Sequence, residues 1–146
     1  FNTDYLGFLE SIKKYIKKKH KKAIILGSGG ASKAIVHALE KINISSSIVS
    51  RNDKKGNLKY QDLDSKIIES SHIIINCTPL GTFPNVKECP DIPYKNISER
   101  HICFDLIYNP NETKFLRNCK KRKATVINGI KMLELQAEES WKIWNL

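Results

Sequence analysis

The stretch that most limits what this chain can fold into is "AIILGSGGASKA", residues 23–34. A short continuous apolar run ends in glycine, two more glycines follow almost at once, and a helical pattern begins. An apolar run of this length reads as a strand buried on both faces, the kind found in parallel sheets. Gly27 permits a tight turn, Gly29 lets a ligand approach the backbone, and the small Ser32 allows the helix to pack against the strand. The free N–H groups at the helix start, with the positive end of its dipole, favour an anion. Strand, glycine turn and helix start together predict a pyrophosphate-binding turn over Gly27, Ser28, Gly29, Gly30 and Ala31, in preference to a turn with no ligand.

The same alternation continues along the chain. Leu6, Leu9, Ile12 and Ile16 recur at helical spacing and predict a helix over 4–19. Helices are expected at 31–42, 61–71, 113–122 and 129–144, and strands at 23–27, 46–50, 72–78, 101–108 and 124–128. Strands separated by helices argue for right-handed βαβ units. The fold class is therefore α/β: a Rossmann-like three-layer sandwich with a mostly parallel sheet, and 146 residues suffice for one such domain. The longest irregular stretch is 79–100, where Pro79, Pro84, Pro90 and Pro93 oppose regular structure. A loop of this length in a small domain is often functional.

Charge and cysteines narrow the setting. The formal charge is +10, and much of the excess lies in "KKYIKKKHKK", residues 13–22. A basic block can bind nucleic acid. Here the block matches no recognised nucleic-acid module, and a position at the C-terminal end of the first helix would suit the dipole. A solvated face is the stronger reading. Cys77, Cys89, Cys103 and Cys119 form no CxxC pair and no cluster with metal spacing, so no metal site is expected. Free thiols in apolar runs suit a reducing, cytoplasmic setting. No apolar run approaches the ~20 residues of a membrane span, and Phe1 opens no signal-peptide pattern.

The end of the second strand discriminates between dinucleotides. An acid there would bind the ribose 2′-hydroxyl of NAD. The residues are instead Ser50, Arg51 and Asn52, and the planar guanidinium of Arg51 suits the 2′-phosphate of NADP. Lys55 adds charge close by. Asp53 points the other way, so NADP is expected, with NAD as the alternative.

Several separated segments then converge. "NTDYLGF" (2–8), "LGSGGASKA" (26–34), "SRN" (50–52), "INCTPLGTFPN" (75–85), "FDLIYNPNET" (104–113) and "NGIKMLELQAEESWKIW" (128–144) resemble, in order, the shikimate dehydrogenase family. The similarity is to the C-terminal, cofactor-binding half of such enzymes. It implies NADP-dependent, reversible reduction of 3-dehydroshikimate to shikimate, in aromatic amino acid biosynthesis. It implies that Asp4 is catalytic and holds a substrate hydroxyl, working with a lysine of an N-terminal substrate domain that lies upstream of Phe1. On bare chemistry Asp4 would also favour a helix start through the dipole. The resemblance further assigns Gln136 and Tyr108 to the substrate, Gly129 and Met132 to the neighbourhood of the nicotinamide, and Thr78, Pro79 and Leu80 to a loop lining the cofactor cleft. Without it, Gln136 would read as a satisfied core amide and Tyr108 as a strand-end aromatic.

Residues 1–146 would then be the dinucleotide-binding domain, with helices in 1–20 and 129–146 facing the substrate domain. Alone, the chain is expected to bind cofactor and to be catalytically inactive. Its partners would be the small-molecule substrate and that missing domain, with no membrane; the oligomeric state is left open. Some departures matter. Ser50-Arg51-Asn52 stands where the family often has Asn-Arg-Thr, Thr82 where it often has Met, and Asp53 leans toward an NAD(P)-dependent quinate/shikimate dehydrogenase. A methylenetetrahydrofolate dehydrogenase or glutamyl-tRNA reductase would share the glycine turn but not "NTD" or "MLELQA". The alternative of another class is a basic nucleic-acid-binding domain on a vestigial nucleotide fold.

Overall fold

Isoleucine-rich runs form the middle of the sheet. The computed structural model describes the backbone of residues 3–52 and 57–145, with side chains from Leu6 onward. The strands are β1 (Lys22–Leu26), β2 (Ser45–Val49), β3 (Ile73–Asn76), β4 (Ile102–Asp105) and β5 (Thr125–Ile127). They pair in the order β2-β1-β3-β4-β5, and every pair is parallel. The sheet is thus wholly rather than mostly parallel. Every residue of β3 and β4 is buried, as strands covered on both faces must be.

Alternate side chains feed two cores. Ala23, Ile25, Ile73, Ile75, Ile102 and Phe104 face one layer, built by α1 (Thr3–Ile12), α2 (Gly30–Lys41) and α5 (Ile130–Trp144). Phe8 of α1 meets Phe104 edge-on, ring centroids 5.0 Å apart. Ile24, Leu26, Ile74 and Cys103 face the other layer, with Ile68 of α3 (Ser65–Ser70) and Phe115, Leu116 and Cys119 of α4 (Lys114–Lys121). This is the expected three-layer sandwich.

Helix ends are set by local chemistry. Thr113 caps α4 and Asp64 caps α3 through their side-chain oxygens. α2 and α4 both end in Schellman motifs, with Asn43 (φ 60°) and Lys123 (φ 68°) in the left-handed region. Ile44 N–H reaches Leu39 O at 2.9 Å and Ala124 N–H reaches Cys119 O at 3.2 Å, which turns the chain into β2 and β5.

Two helices are shorter than periodicity predicts. The helix expected over 4–19 stops at Ile12 and continues as one 3₁₀ turn, Lys13–Tyr15. His20 ends it: its Nδ1 accepts from Lys17 N–H at 2.8 Å, and its own N–H reaches Lys17 O, closing a turn that feeds β1. The lysines therefore do not sit on the C-terminal turn of α1, and the dipole argument for them fails. The helix expected over 61–71 divides at Leu63. Asp62 takes Lys59 N–H and closes a 3₁₀ turn, and Asp64 then starts α3 afresh. In 79–100 the one regular piece is a 3₁₀ turn, Tyr94–Asn96.

At its far end α5 leaves Trp141, Ile143 and Trp144 exposed, the two tryptophans by 66% and 86%. No helix among the described residues is long and apolar enough to cross a membrane.

Candidate functional site

From β1 the chain goes outward to β2, and from β3 it goes the other way to β4 and β5. The crevice between the C-terminal ends of β1 and β3 is thus the point where strand order reverses, where open α/β sheets bind ligands. Gly27 follows β1 there with φ +108°. Its N–H donates to Val49 O at 2.9 Å, and Cys77 N–H donates to Leu26 O at 2.8 Å. A Cβ on Gly27 would lie 3.2 Å from the Cys77 carbonyl, so both conformation and space demand glycine. Gly29 and Gly30 are different: a Cβ on either meets nothing within 4 Å. Both stand in open space, and Gly29 lines the crevice. Gly29 starts α2 without a side-chain cap, so the first N–H groups of the helix are left for a ligand.

A cleft of about 660 Å³ opens over this turn. Its walls include Gly27, Ser28 and Gly29, then Ser50, Arg51 and Asn52, then Thr78, Pro79 and Leu80. Ser50 is buried and holds the tip of β2: its hydroxyl donates to Ser28 Oγ at 3.1 Å and accepts from Asn52 N–H at 3.1 Å. Arg51 is exposed at that tip. Lys55 and Asp53 lie outside the described residues. A second cleft of about 520 Å³ adjoins the first across Cys77, Thr78 and Pro79, and includes Ala31, Phe83 and Tyr108. Tyr108 is 49% exposed there, a strand-exit aromatic rather than a core one.

Other predicted residues stand elsewhere. Gly129 is buried against the backbone that leaves β4, where a Cβ would fall 2.1 Å from Leu106 O. Met132 is 5% exposed and belongs to the core with Phe8. Gln136 lies one turn on along α5, against Gly7 of α1. Neither Gly129, Met132 nor Gln136 lines the two clefts. The backbone of Asp4 is in the first turn of α1, and its side chain lies outside the described residues.

Residue-by-residue reading missed the polar groups that hold the loops. Asn76 and Asp105 end β3 and β4 as register partners, both fully buried. Asn76 Oδ1 accepts from Thr78 N–H (3.0 Å) and Thr78 Oγ1 (2.6 Å), and Thr78 Oγ1 accepts from Leu80 N–H (3.2 Å). Asp105 accepts from Asn76 Nδ2 (3.2 Å), Ile107 N–H (3.0 Å) and Thr113 Oγ1 (2.6 Å). Burial pushes the Asp105 carboxyl up to about 6, and the bonds from Thr113, Ile107 and Asn76 pull against that. The signal was there: an Asn and an Asp each closing a run of buried apolar residues.

Tyr60, Cys89 and Asp91 also carried no motif, and they complete the wall of the larger cleft. Burial raises the Tyr60 phenol, with Arg51 opposing. Burial and the nearby Asp105 push the Cys77 thiol up, so it lines both clefts as an inert group. Among the described residues no three His, Cys, Asp or Glu side chains gather to hold a metal ion.

No protein-family model matches the chain. The shikimate dehydrogenase (NADP(+)) of Clostridium botulinum strain Hall is 39% identical over 155 residues, an overlap that takes in 100% of this chain and 60% of that protein. Over its whole length the chain is similar to part of a shikimate dehydrogenase. It spans 60% of the length of that curated relative, less than two thirds. A crystal structure of a chorismate mutase/shikimate 5-dehydrogenase fusion protein from Clostridium acetobutylicum superposes with a TM-score of 0.82 at 36% identity, over 99% of this chain and 54% of the other. The Thermus thermophilus shikimate 5-dehydrogenase, solved with NADP(H) and shikimate, gives 0.82 at 27% identity over 99% and 56%. Both likenesses extend over 99% of this chain.

Proposed function

We propose that the chain is the cofactor-binding half of an NADP-dependent shikimate dehydrogenase, which interconverts 3-dehydroshikimate and shikimate. One observation carries the reading: an open glycine turn and an uncapped helix start face a cleft of dinucleotide size, with Arg51 at its β2 edge. NADP is supported by the residues present. Gly29 and Gly30 leave room for a pyrophosphate against the N–H groups of α2, and no acid stands at Ser50-Arg51-Asn52 to repel a 2′-phosphate. The C. botulinum relative is named for NADP(+), and the T. thermophilus structure holds NADP(H) with shikimate.

The bound dinucleotide supplies or accepts the hydride. The protein's part is placement and proton handling. Gly27, Ser28, Gly29, Gly30 and Ala31 hold the pyrophosphate. Ser50, Arg51, Asn52 and Lys55 would receive the adenosine end, where the Arg51 guanidinium suits a 2′-phosphate. Thr78, Pro79 and Leu80 wall the crevice toward the nicotinamide, while Gly129 and Met132 act from behind, by fixing how α5 meets the β4 exit. Tyr108 and Gln136 contact the substrate, and Asp4 holds a ring hydroxyl. A carboxylate and a lysine ammonium in contact each favour the other's charged form, which suits a proton relay to the ring oxygen. That lysine belongs to the substrate domain, which would sit against α1 and α5; the exposed Trp141, Ile143 and Trp144 give α5 an apolar end for such a contact.

Calorimetric titration of the chain with NADP⁺ and NAD⁺ tests this. NADP⁺ should bind more tightly, and Arg51→Ala should abolish the preference. Equal or stronger binding of NAD⁺ would move the reading to Asp53 and the quinate/shikimate branch, and no binding of either would refute the cofactor reading of this chain. Shikimate oxidation by the chain alone should be absent.

A further inference from the structure

We propose that Asp105 is a positioning residue: a single buried carboxylate sets the cofactor-facing loop after β3 and the substrate-facing loop after β4 together. The bonds run in two directions from one group. Through Asn76 Nδ2 (3.2 Å) the carboxylate orients an amide whose oxygen binds Thr78 N–H and Oγ1, and Thr78 in turn takes Leu80 N–H. Thr78 and Leu80 are walls of the larger cleft. Through Ile107 N–H (3.0 Å) the same Oδ1 fixes the residue before Tyr108, in the wall of the smaller cleft. Oδ2 takes Thr113 Oγ1 (2.6 Å), and so anchors the carboxylate to the start of α4. At the rim the two loops are tied a second time, by Phe83 N–H to Asn109 O at 2.9 Å.

A purely structural account leaves this arrangement unexplained. The β3–β4 ladder already joins the two strands. Thr113 already caps α4 through Leu116 N–H at 3.2 Å. A buried carboxylate is costly, and among the described residues no basic side chain pairs with Asp105. An apolar residue would avoid that cost only if Asn76 and Thr113 were apolar too, since both donate to the carboxylate. What the carboxylate adds is fixed geometry for Thr78, Leu80 and Ile107 at once, and these are the backbone positions against which both ligands would rest. A binding wall held to this accuracy decides affinity more than a loop free to repack.

The proposal rests on the dinucleotide reading of the larger cleft. Its test is NADP⁺ titration of the parent chain, Asp105→Asn, Asp105→Ala, Asn76→Ala and the double alanine variant, each with a thermal melt. Asp105→Asn keeps an acceptor for Asn76 and Ile107, and its amide can donate to Thr113 Oγ1, so it should bind within three-fold of the parent. Asp105→Ala and Asn76→Ala should each weaken NADP⁺ at least five-fold. The double variant should be no weaker than the worse single one, because both break the same chain of bonds. Arg51→Ala, on a separate contact, should add its effect in full. A merely structural Asp105 would lower the melting temperature and leave affinity within five-fold of the parent, and that result overturns the proposal. Should Asp105→Ala fail to fold, Asn76→Ala decides on the same five-fold threshold. A parent chain that binds no NADP⁺ overturns the dinucleotide reading and this proposal together, whereas a binding parent with unaffected variants overturns this proposal alone.

Discussion

The central strands of the sheet are flanked by polar residues, and its two ends use them in opposite ways. At the C-terminal end Asn76 and Asp105 lock into each other and into the loops that line the clefts. At the N-terminal end His20, His72 and His101 stand before β1, β3 and β4. His101 is fully tied, with Nε2 to Ile68 O at 2.7 Å and Nδ1 accepting from Ser98 N–H at 3.0 Å. His72 packs edge-on to His20 with ring centroids 5.9 Å apart, and its buried Nδ1 has no hydrogen-bond partner. One end is built to hold geometry. The other holds imidazole rings beside lysines and arginine, and none of them lines a cleft. The largest concentration of charge in the sequence is therefore remote from the candidate chemistry, which lies where the chain is short of charge.

The sharpest way to break the ligand-side end is Gly129→Ala. Its methyl group would fall 2.1 Å from Leu106 O, against backbone that cannot swing aside. A loss of about 4 kcal/mol or more is expected in chemical denaturation, enough to prevent folding of a marginal domain. Gly27→Ala should cost less, about 1–3 kcal/mol, from the φ of +108° and the Cys77 carbonyl, and should remove measurable NADP⁺ binding as the turn shifts.

The ends should also respond oppositely to pH. Burial first, then neighbouring positive charge, holds His20 and His72 below the ordinary histidine value of 6.5. The unfolded chain then takes up more protons than the folded one, so this contribution to stability is complete above about pH 6.5 and is lost as pH falls. Asp105 is raised from 3.8 to about 6, so its contribution is complete below 3.8 and is lost as pH rises through 6. Denaturation midpoints measured from pH 4 to 8 should thus show a shallow profile. Asp105→Asn should steepen the acid-side loss, and His72→Phe should flatten it. A profile unchanged in both variants would mean the ends do not differ in this way.

The smallest effect belongs to the lysines. Changing Lys17, Lys18 and Lys19 to Gln should leave NADP⁺ affinity within two-fold at physiological salt. A five-residue strand of about 17 Å separates the two ends of the sheet, twice the ~8 Å over which salt screens a charge.

Much of this was legible in the residues themselves. Continuous apolar runs separated by helical periods led to the strands and the layers, because burial on both faces writes itself into local sequence. The glycine turn was readable because strand, turn and helix start are contiguous. The overrun of α1 came from reading Ile16 as one more helical step when the His20 turn had already claimed that stretch. The Asn76–Asp105 pair spans 29 residues, and no local period links two strand tips. Burial along α5 was not legible from the motif: Gln136 is half-buried, while Met132, one turn earlier, packs its side chain in the core.

The exposed end of α5 gives the molecule a built-in optical probe. The chain has two tryptophans, Trp141 and Trp144, and both lie there rather than in either core. With both rings this exposed, their emission should be close to that of solvated indole in the folded state and should change little as the sheet melts. It should shift to shorter wavelength when another polypeptide covers the helix. Fluorescence on this protein would follow docking and stay nearly silent on unfolding, the reverse of its usual use.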